Sequence, residues 1–136
     1  MIVQTFSPDH PVILAAAQHH YRQFVEQELP IRKLLGYPPY SQMIRIVIRG
    51  ENEATTLKFA QAAAAELKIR TEKMKTRIDG PAPAPLAKLN KYYRFHIHLR
   101  AADGAPLRQA VRSVAASLKP PDAVQWMIDV DPLDML

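Results

Sequence analysis

The sequence predicts an α+β domain of the split βαβ, ferredoxin-like type: an antiparallel sheet carrying two helices on one face, with a further helix added at the N-terminus. Three observations lead there. From Ser41 onward the periodicities run strand, helix, strand, strand, helix, strand, which is the order of that motif. Two segments, Ser41 to Arg49 and Tyr92 to Arg100, alternate strictly between apolar and polar residues, as half-buried strands do. Both later helices carry one apolar stripe each, so they cover one side of the sheet and leave the other to solvent or a partner. A chain of 136 residues with 48% hydrophobic content suffices for one packed core.

Met1-Ile2-Val3-Gln4-Thr5-Phe6 reads as a short opening strand. Ser7-Pro8-Asp9 offers a helix cap, and Leu14, Ala17, Tyr21 and Phe24 recur at helical spacing up to Leu29, where Pro30 is expected to stop the helix. Gly36-Tyr37-Pro38-Pro39-Tyr40 forces a turn. In the first strand Ile44, Ile46 and Ile48 share one side, Arg45 and Arg49 the other. Asn52 caps a helix from Glu53 to about Ile69 with a stripe of Ala54, Leu57, Ala60, Ala64 and Leu67. The basic segment Lys68 to Arg77 leads through Ile78 into Gly80-Pro81-Ala82-Pro83-Ala84-Pro85, which is expected to run as an extended, polyproline-like arm. After the strand from Tyr92 to Arg100, Asp103-Gly104-Ala105-Pro106 starts a helix whose buried stripe is Leu107, Val111, Val114 and Leu118. Pro120-Pro121 ends it, and Val124, Trp126, Ile128 and Val130 alternate as the last strand.

A net charge of +5 favours polyanionic partners, nucleic acid ahead of an anionic membrane surface. No apolar run approaches a membrane span and no secretory signal opens the chain, so no membrane partner is expected and a cytoplasmic location is the default. The absence of cysteine excludes disulfides and thiolate metal sites within the chain.

The chemistry concentrates on the strand from Tyr92. With Tyr93, Phe95, Ile97 and Leu99 facing the core, Tyr92, Arg94, His96, His98 and Arg100 form a row of cations and aromatics on the opposite face, and Lys88 and Lys91 extend it into the approach. Such a row suits phosphates and stacked bases, with Tyr92 as the stacking ring and the histidines adding charge near neutral pH. The bland alternative is a solvated sheet surface, and for Lys68–Arg77 a solvated charge run. The histidines lack the further ligands that zinc requires, and Asp129, Asp131 and Asp134 near the chain end suit a turn or docking role better than metal binding. Ser113 and Ser117 stand in no nucleophile motif, and the four glycines are scattered rather than gathered into a phosphate loop. No cofactor is therefore expected in this chain, nor catalysis.

Several stretches together resemble one family. They are Ile2-Val3-Gln4-Thr5 with Pro8-Asp9-His10, then Tyr21, Phe24, Glu28-Leu29 and Arg32. Gly36-Tyr37-Pro38-Pro39-Tyr40, the proline–alanine run, Tyr93-Arg94-Phe95 and Ile128-Asp129-Val130-Asp131-Pro132 complete the set. In this order the chain is similar to the C-terminal domain of bacterial primosomal protein N′, the PriA replication-restart DNA helicases, a domain with a ribosomal protein S10-like fold. The resemblance implies that residues 1–13 are the tail of a preceding helicase lobe and 14–136 the S10-like domain. It implies a parent with an ATP-dependent 3′–5′ helicase core, using ATP and magnesium, and a zinc-binding insertion. It further implies a non-catalytic role in primosome assembly, contacting branched or single-stranded DNA at stalled forks. The alternative it carries is a protein-interaction scaffold that binds the helicase lobes and the acidic tail of single-stranded DNA-binding protein. Arg108 and Arg112 are the positions that would meet such a tail.

Overall fold

The computed structural model describes residues 4–132, arranged as two compact units, Met1–Leu35 and Gly36–Leu136. The first three residues of the expected opening strand lie outside the described range, and residues 4–6 carry no strand.

In the first unit one expected helix is two, α1 (Pro11–Ala17) and α2 (Tyr21–Leu35). His10, rather than Ser7 or Asp9, caps α1 by accepting from the Val12 amide at 3.3 Å. His19 sits at φ 56, a left-handed backbone that ends the first helix without any glycine or proline to announce it. Pro30 lies inside α2 instead of stopping it. Its fixed φ is already helical, so the cost is the missing N–H, and the Arg32–Glu28 ion pair at 2.8 Å spans the site one turn apart.

The second unit contains β1 (Gln42–Gly50), α3 (Glu53–Thr71), β2 (Thr76–Leu89), β3 (Tyr92–Ala101), α4 (Gly104–Ser117) and β4 (Val124–Val130). The sheet order is β2-β3-β1-β4 with every neighbour antiparallel, as the split βαβ reading requires. Asn52 accepts from the Thr55 amide at 2.9 Å and Asp103 from the Ala105 amide at 3.0 Å, so both capping residues act as their sequences suggest.

Ile44, Ile46 and Ile48 meet Phe95, Ile97 and Leu99 beneath α3 and α4, with Leu107, Val111 and Val114 supplied by α4. The α3 stripe is rotated from expectation. Thr56, Phe59, Ala60, Ala63, Ala64, Leu67 and Thr71 are buried, while Ala54 is exposed and Leu57 only half-buried. Thr56 can go inside because its hydroxyl donates to the Asn52 carbonyl at 2.6 Å, and Thr71 does the same to Leu67 at 2.8 Å. Phe59 packs edge-on against Trp126, centroids 5.5 Å apart, which fixes α3 over the start of β4.

The proline–alanine segment is not a free arm. It is the middle of β2, which pairs with β3 through two register shifts, between Asp79 and Ala82 and between Pro83 and Lys88. Prolines are tolerated there because β2 is an edge strand, where one side of the backbone needs no donor. Asn90 and Lys91, at φ 48 and 73, then form a two-residue turn of the type whose twist suits a tight hairpin.

Ile97 has no exposed surface at the centre of this core. Ile97→Ala is expected to lower the unfolding free energy by about 2–5 kcal/mol, read from urea denaturation followed by circular dichroism.

Candidate nucleic-acid interface

The alternation of β3 places Tyr92, Arg94, His96, His98 and Arg100 together on the face opposite the helices. Register adds neighbours that the sequence did not assign. β1 contributes Arg49 beside Arg94, Val47 beside His96, Arg45 beside His98 and Met43 beside Arg100. β4 brings Gln125, Met127 and Asp129 next to Arg49, Val47 and Arg45, and β2 brings Arg77 and Asp79 next to Arg100 and His98. The result is two chemically different ends.

At the end near Ala101 the arginines are held by carboxylates, and two of them, Arg100 and Arg45, have largely buried side chains. Arg100 is 9% exposed and donates to Asp79 Oδ2 at 2.6 Å, while Arg77 donates to Asp79 Oδ1 at 3.0 Å. The Arg100 guanidinium also lies 4.6 Å from the centroid of the Tyr37 ring, which pins the turn after Gly36 onto the sheet. Partial burial alone would raise the Asp79 pKa, but hydrogen bonds and charge from Arg100 and Arg77 outweigh it and hold the carboxyl below its usual value. Arg45 is paired with Asp129 at 3.1 Å.

His96 is 3% exposed and His98 half-buried, with their rings edge to face at 5.5 Å. Burial, then the charges of His98, Arg45 and Arg94, push the His96 pKa down to about 4. Burial and then Arg45 also lower that of His98. Both rings are therefore neutral at pH 7, which corrects the expectation that they add positive charge. Alternation predicts which way a side chain points; it does not count the neighbours on either flank. The Nε2 atoms of both rings have no hydrogen-bond partner among the described residues.

The end near the hairpin is open. Arg94 is half-buried and makes no ion pair or side-chain hydrogen bond among the described residues. Arg49 bonds Gln125 Oε1 through Nε at 3.0 Å and Nη2 at 2.9 Å, and its guanidinium stands 5.2 Å from the Tyr92 centroid. Lys91 is exposed at the hairpin tip. Arg49 was legible only as a residue of the same face, because its neighbourhood with Tyr92 depends on strand register.

One expected member of the row stands elsewhere. Lys88 is in register with Tyr93, lies 4.7 Å from that ring's centroid and donates to its hydroxyl at 3.3 Å, so it belongs to the helix side. The bulge between Pro83 and Lys88 shifts the alternation and turns it over. Arg77 lies at the compensated end, so the basic segment before β2 and Arg94 occupy opposite ends of the sheet. On α4, Arg108 is held by Gln42 Oε1 whereas Arg112 is exposed. Asp131 accepts from the Met43 amide at 3.1 Å and so docks the end of β4; Asp134 lies outside the described residues. Among the described residues no three His, Cys, Asp or Glu side chains are placed to hold a metal ion, and no helix is long and apolar enough to cross a membrane.

The family model described as the primosomal protein N C-terminal domain matches residues 33–133. The chain is 35% identical to the replication restart protein PriA of Synechocystis sp. over 135 residues, covering 99% of this chain and 16% of that protein. It is 34% identical to the PriA of Treponema pallidum and 31% to that of Borreliella burgdorferi, covering 100% of this chain and 20% of each relative. The chain thus spans a fifth or less of the length of these relatives. A designed protein, Foldit4, superposes with a TM-score of 0.50 at 14% identity, covering 69% of this chain and 99% of that one, a likeness of fold alone.

Neutral buried histidines give the fold a direction of pH dependence. A His96 pKa near 4 against 6.5 unfolded means that the unfolded chain takes up the proton first, so stability is full above about pH 6.5 and is lost as pH falls toward 4. The loss from this residue is on the order of 3 kcal/mol. Urea denaturation at pH 7, 5 and 4 measures it, and His96→Leu is expected to flatten the profile.

Proposed function

Because the chain belongs to the primosomal protein N C-terminal domain family, we propose that it is a non-catalytic DNA-contacting and docking domain of a replication-restart protein. The contact is made at the hairpin end of the sheet. Arg94, Arg49 and Lys91 meet phosphates, and Tyr92 stacks on a base or sugar of branched or single-stranded DNA. The observation that carries this reading is Arg94, a cation with no ion pair among the described residues, set beside the Arg49–Tyr92 stack. His96 and His98 lie behind this end as part of its floor rather than as contacts, and Arg100 belongs to the compensated end of the sheet. Buried guanidinium held by a carboxylate has no free donor fork to offer a phosphate.

A second reading, docking of an acidic peptide tail on α4, is favoured by the exposure of Arg112. It rests on that residue more than on Arg108, whose guanidinium is already bonded to Gln42.

Binding to forked and single-stranded DNA is expected to weaken steeply with salt. The combined Arg49→Ala, Lys91→Ala and Arg94→Ala variant should reduce the slope of log K against log salt by about 2, each lost phosphate contact on a single strand being worth roughly 0.7. Tyr92→Ala should cost about 1–3 kcal/mol with little change of slope. Affinity that ignores salt, or that the triple variant leaves untouched, overturns the proposal. For the second reading, Arg112→Ala is expected to weaken an acidic-tail peptide in a fluorescence titration while sparing DNA.

A further inference from the structure

The two edges of the sheet are chemically unlike. β2, on one side, carries Pro81, Pro83 and Pro85, which have no N–H to offer an added strand. β4, on the other, is a seven-residue strand without proline, glycine or lysine, and nothing pairs with its outer side among the described residues. Met127, Ile128 and Val130 are 46%, 38% and 44% exposed along it. Soluble proteins ordinarily blunt such an edge with charge, proline or a covering element. Here the helix-side face of the edge is wholly apolar, Val124, Trp126, Ile128 and Val130, while the other face sets the exposed Met127 between Gln125 and Asp129, both held by arginines of β1.

The sequence of β4 indicates what can cover it. A two-fold axis perpendicular to the sheet would bring a second β4 alongside, antiparallel, with the helix layers of both copies on one side. Only registers that keep facing residues on the same face are allowed. Centring on Trp126 would set Gln125 against Met127, and centring on Ile128 would set Met127 against Asp129. Centring on Met127 matches every pair in kind: Val124 with Val130, Trp126 with Ile128, Gln125 with Asp129, and Met127 with itself.

The neighbouring strand supports that register. Gln125 is already held by Arg49, and Asp129 by Arg45 at 3.1 Å. Side by side they form a polar row across the junction, Arg49 and Gln125 from one copy and Asp129 and Arg45 from the other. On the helix side, Trp126 packs against Phe59 of α3, and Ile128 and Val130 continue the apolar strip as exposed side chains.

We propose that β4 is a self-pairing edge, through which two copies of this chain join about Met127 into one eight-stranded sheet. The contact is small beside the ~1,600 Å² of a standard interface, so monomer and dimer exchange and the dimer grows with concentration. Both hairpin-end surfaces then lie on the same side of one sheet. The pairing stands whether or not those surfaces bind DNA.

Sedimentation equilibrium on this chain from micromolar to millimolar concentration is expected to show a monomer–dimer equilibrium, and Ile128→Lys, with circular dichroism and melting as folding controls, to abolish it. The absence of cysteine allows a test of register. Met127→Cys sets two thiols at the axis, whereas Gln125→Cys leaves its counterpart about 13 Å away along the strand. The first should oxidise to a covalent dimer at least about tenfold faster than the second. A monomer throughout the concentration range overturns the proposal. Equal cross-linking of the two variants also overturns it, as does burial of the edge by another segment of a longer parent chain in place of a second copy. The cross-linking comparison decides even where Ile128→Lys fails to fold.

Discussion

A guanidinium that is nearly buried cannot stand alone, and the arrangement of this domain turns on how that requirement is met. Arg100 ends the polar row of a central strand at a place where flanking strands and the Tyr37 ring exclude water. Asp79, on the neighbouring edge strand, compensates it at 2.6 Å. That pair ties β2 to β3 just before the bulge, and it holds the Gly36–Ser41 turn against the sheet through Tyr37. Arg45 and Asp129 repeat the arrangement between β1 and β4. The buried positive charge at one end of the sheet, that of Arg100 and Arg45, is thus compensated within the fold.

What remains at the other end follows from geometry. Arg49 and Arg94 are register partners on neighbouring central strands. The side chain that fixes Arg49 is an amide, Gln125, which orients a guanidinium without neutralising it. The tight Asn90-Lys91 turn then sets another cation beyond the strand ends. A face that looks uniformly basic in one dimension divides into a structural half and a half available for recognition. The same alternation that builds the core assigns both.

The edges add a further asymmetry. Prolines close β2 to any further strand, whereas β4 keeps both an open backbone and apolar side chains. The division of labour across the sheet is therefore lateral as well as longitudinal. One edge is terminated chemically, and the other is left able to pair.

Hydrophobic period and capping chemistry by themselves determined the α+β class, the order of elements from Ser41, the Ile44–Ile48 and Phe95–Leu99 core faces and the starts of α3 and α4. These are local signals, carried by residues within one or two turns of each other. The break at His19, the passage of Pro30 through α2, the pairing of the proline segment and the reversal of Lys88 were decided by backbone conformation and bulges that no period encodes. Whether an arginine or histidine of the polar face is buried and compensated or open depends on which residues face it from other strands. His96 between Val47 and Ala82, and Arg100 over Asp79, acquire their character only from register, because desolvation and charge pairing are properties of neighbours distant in sequence.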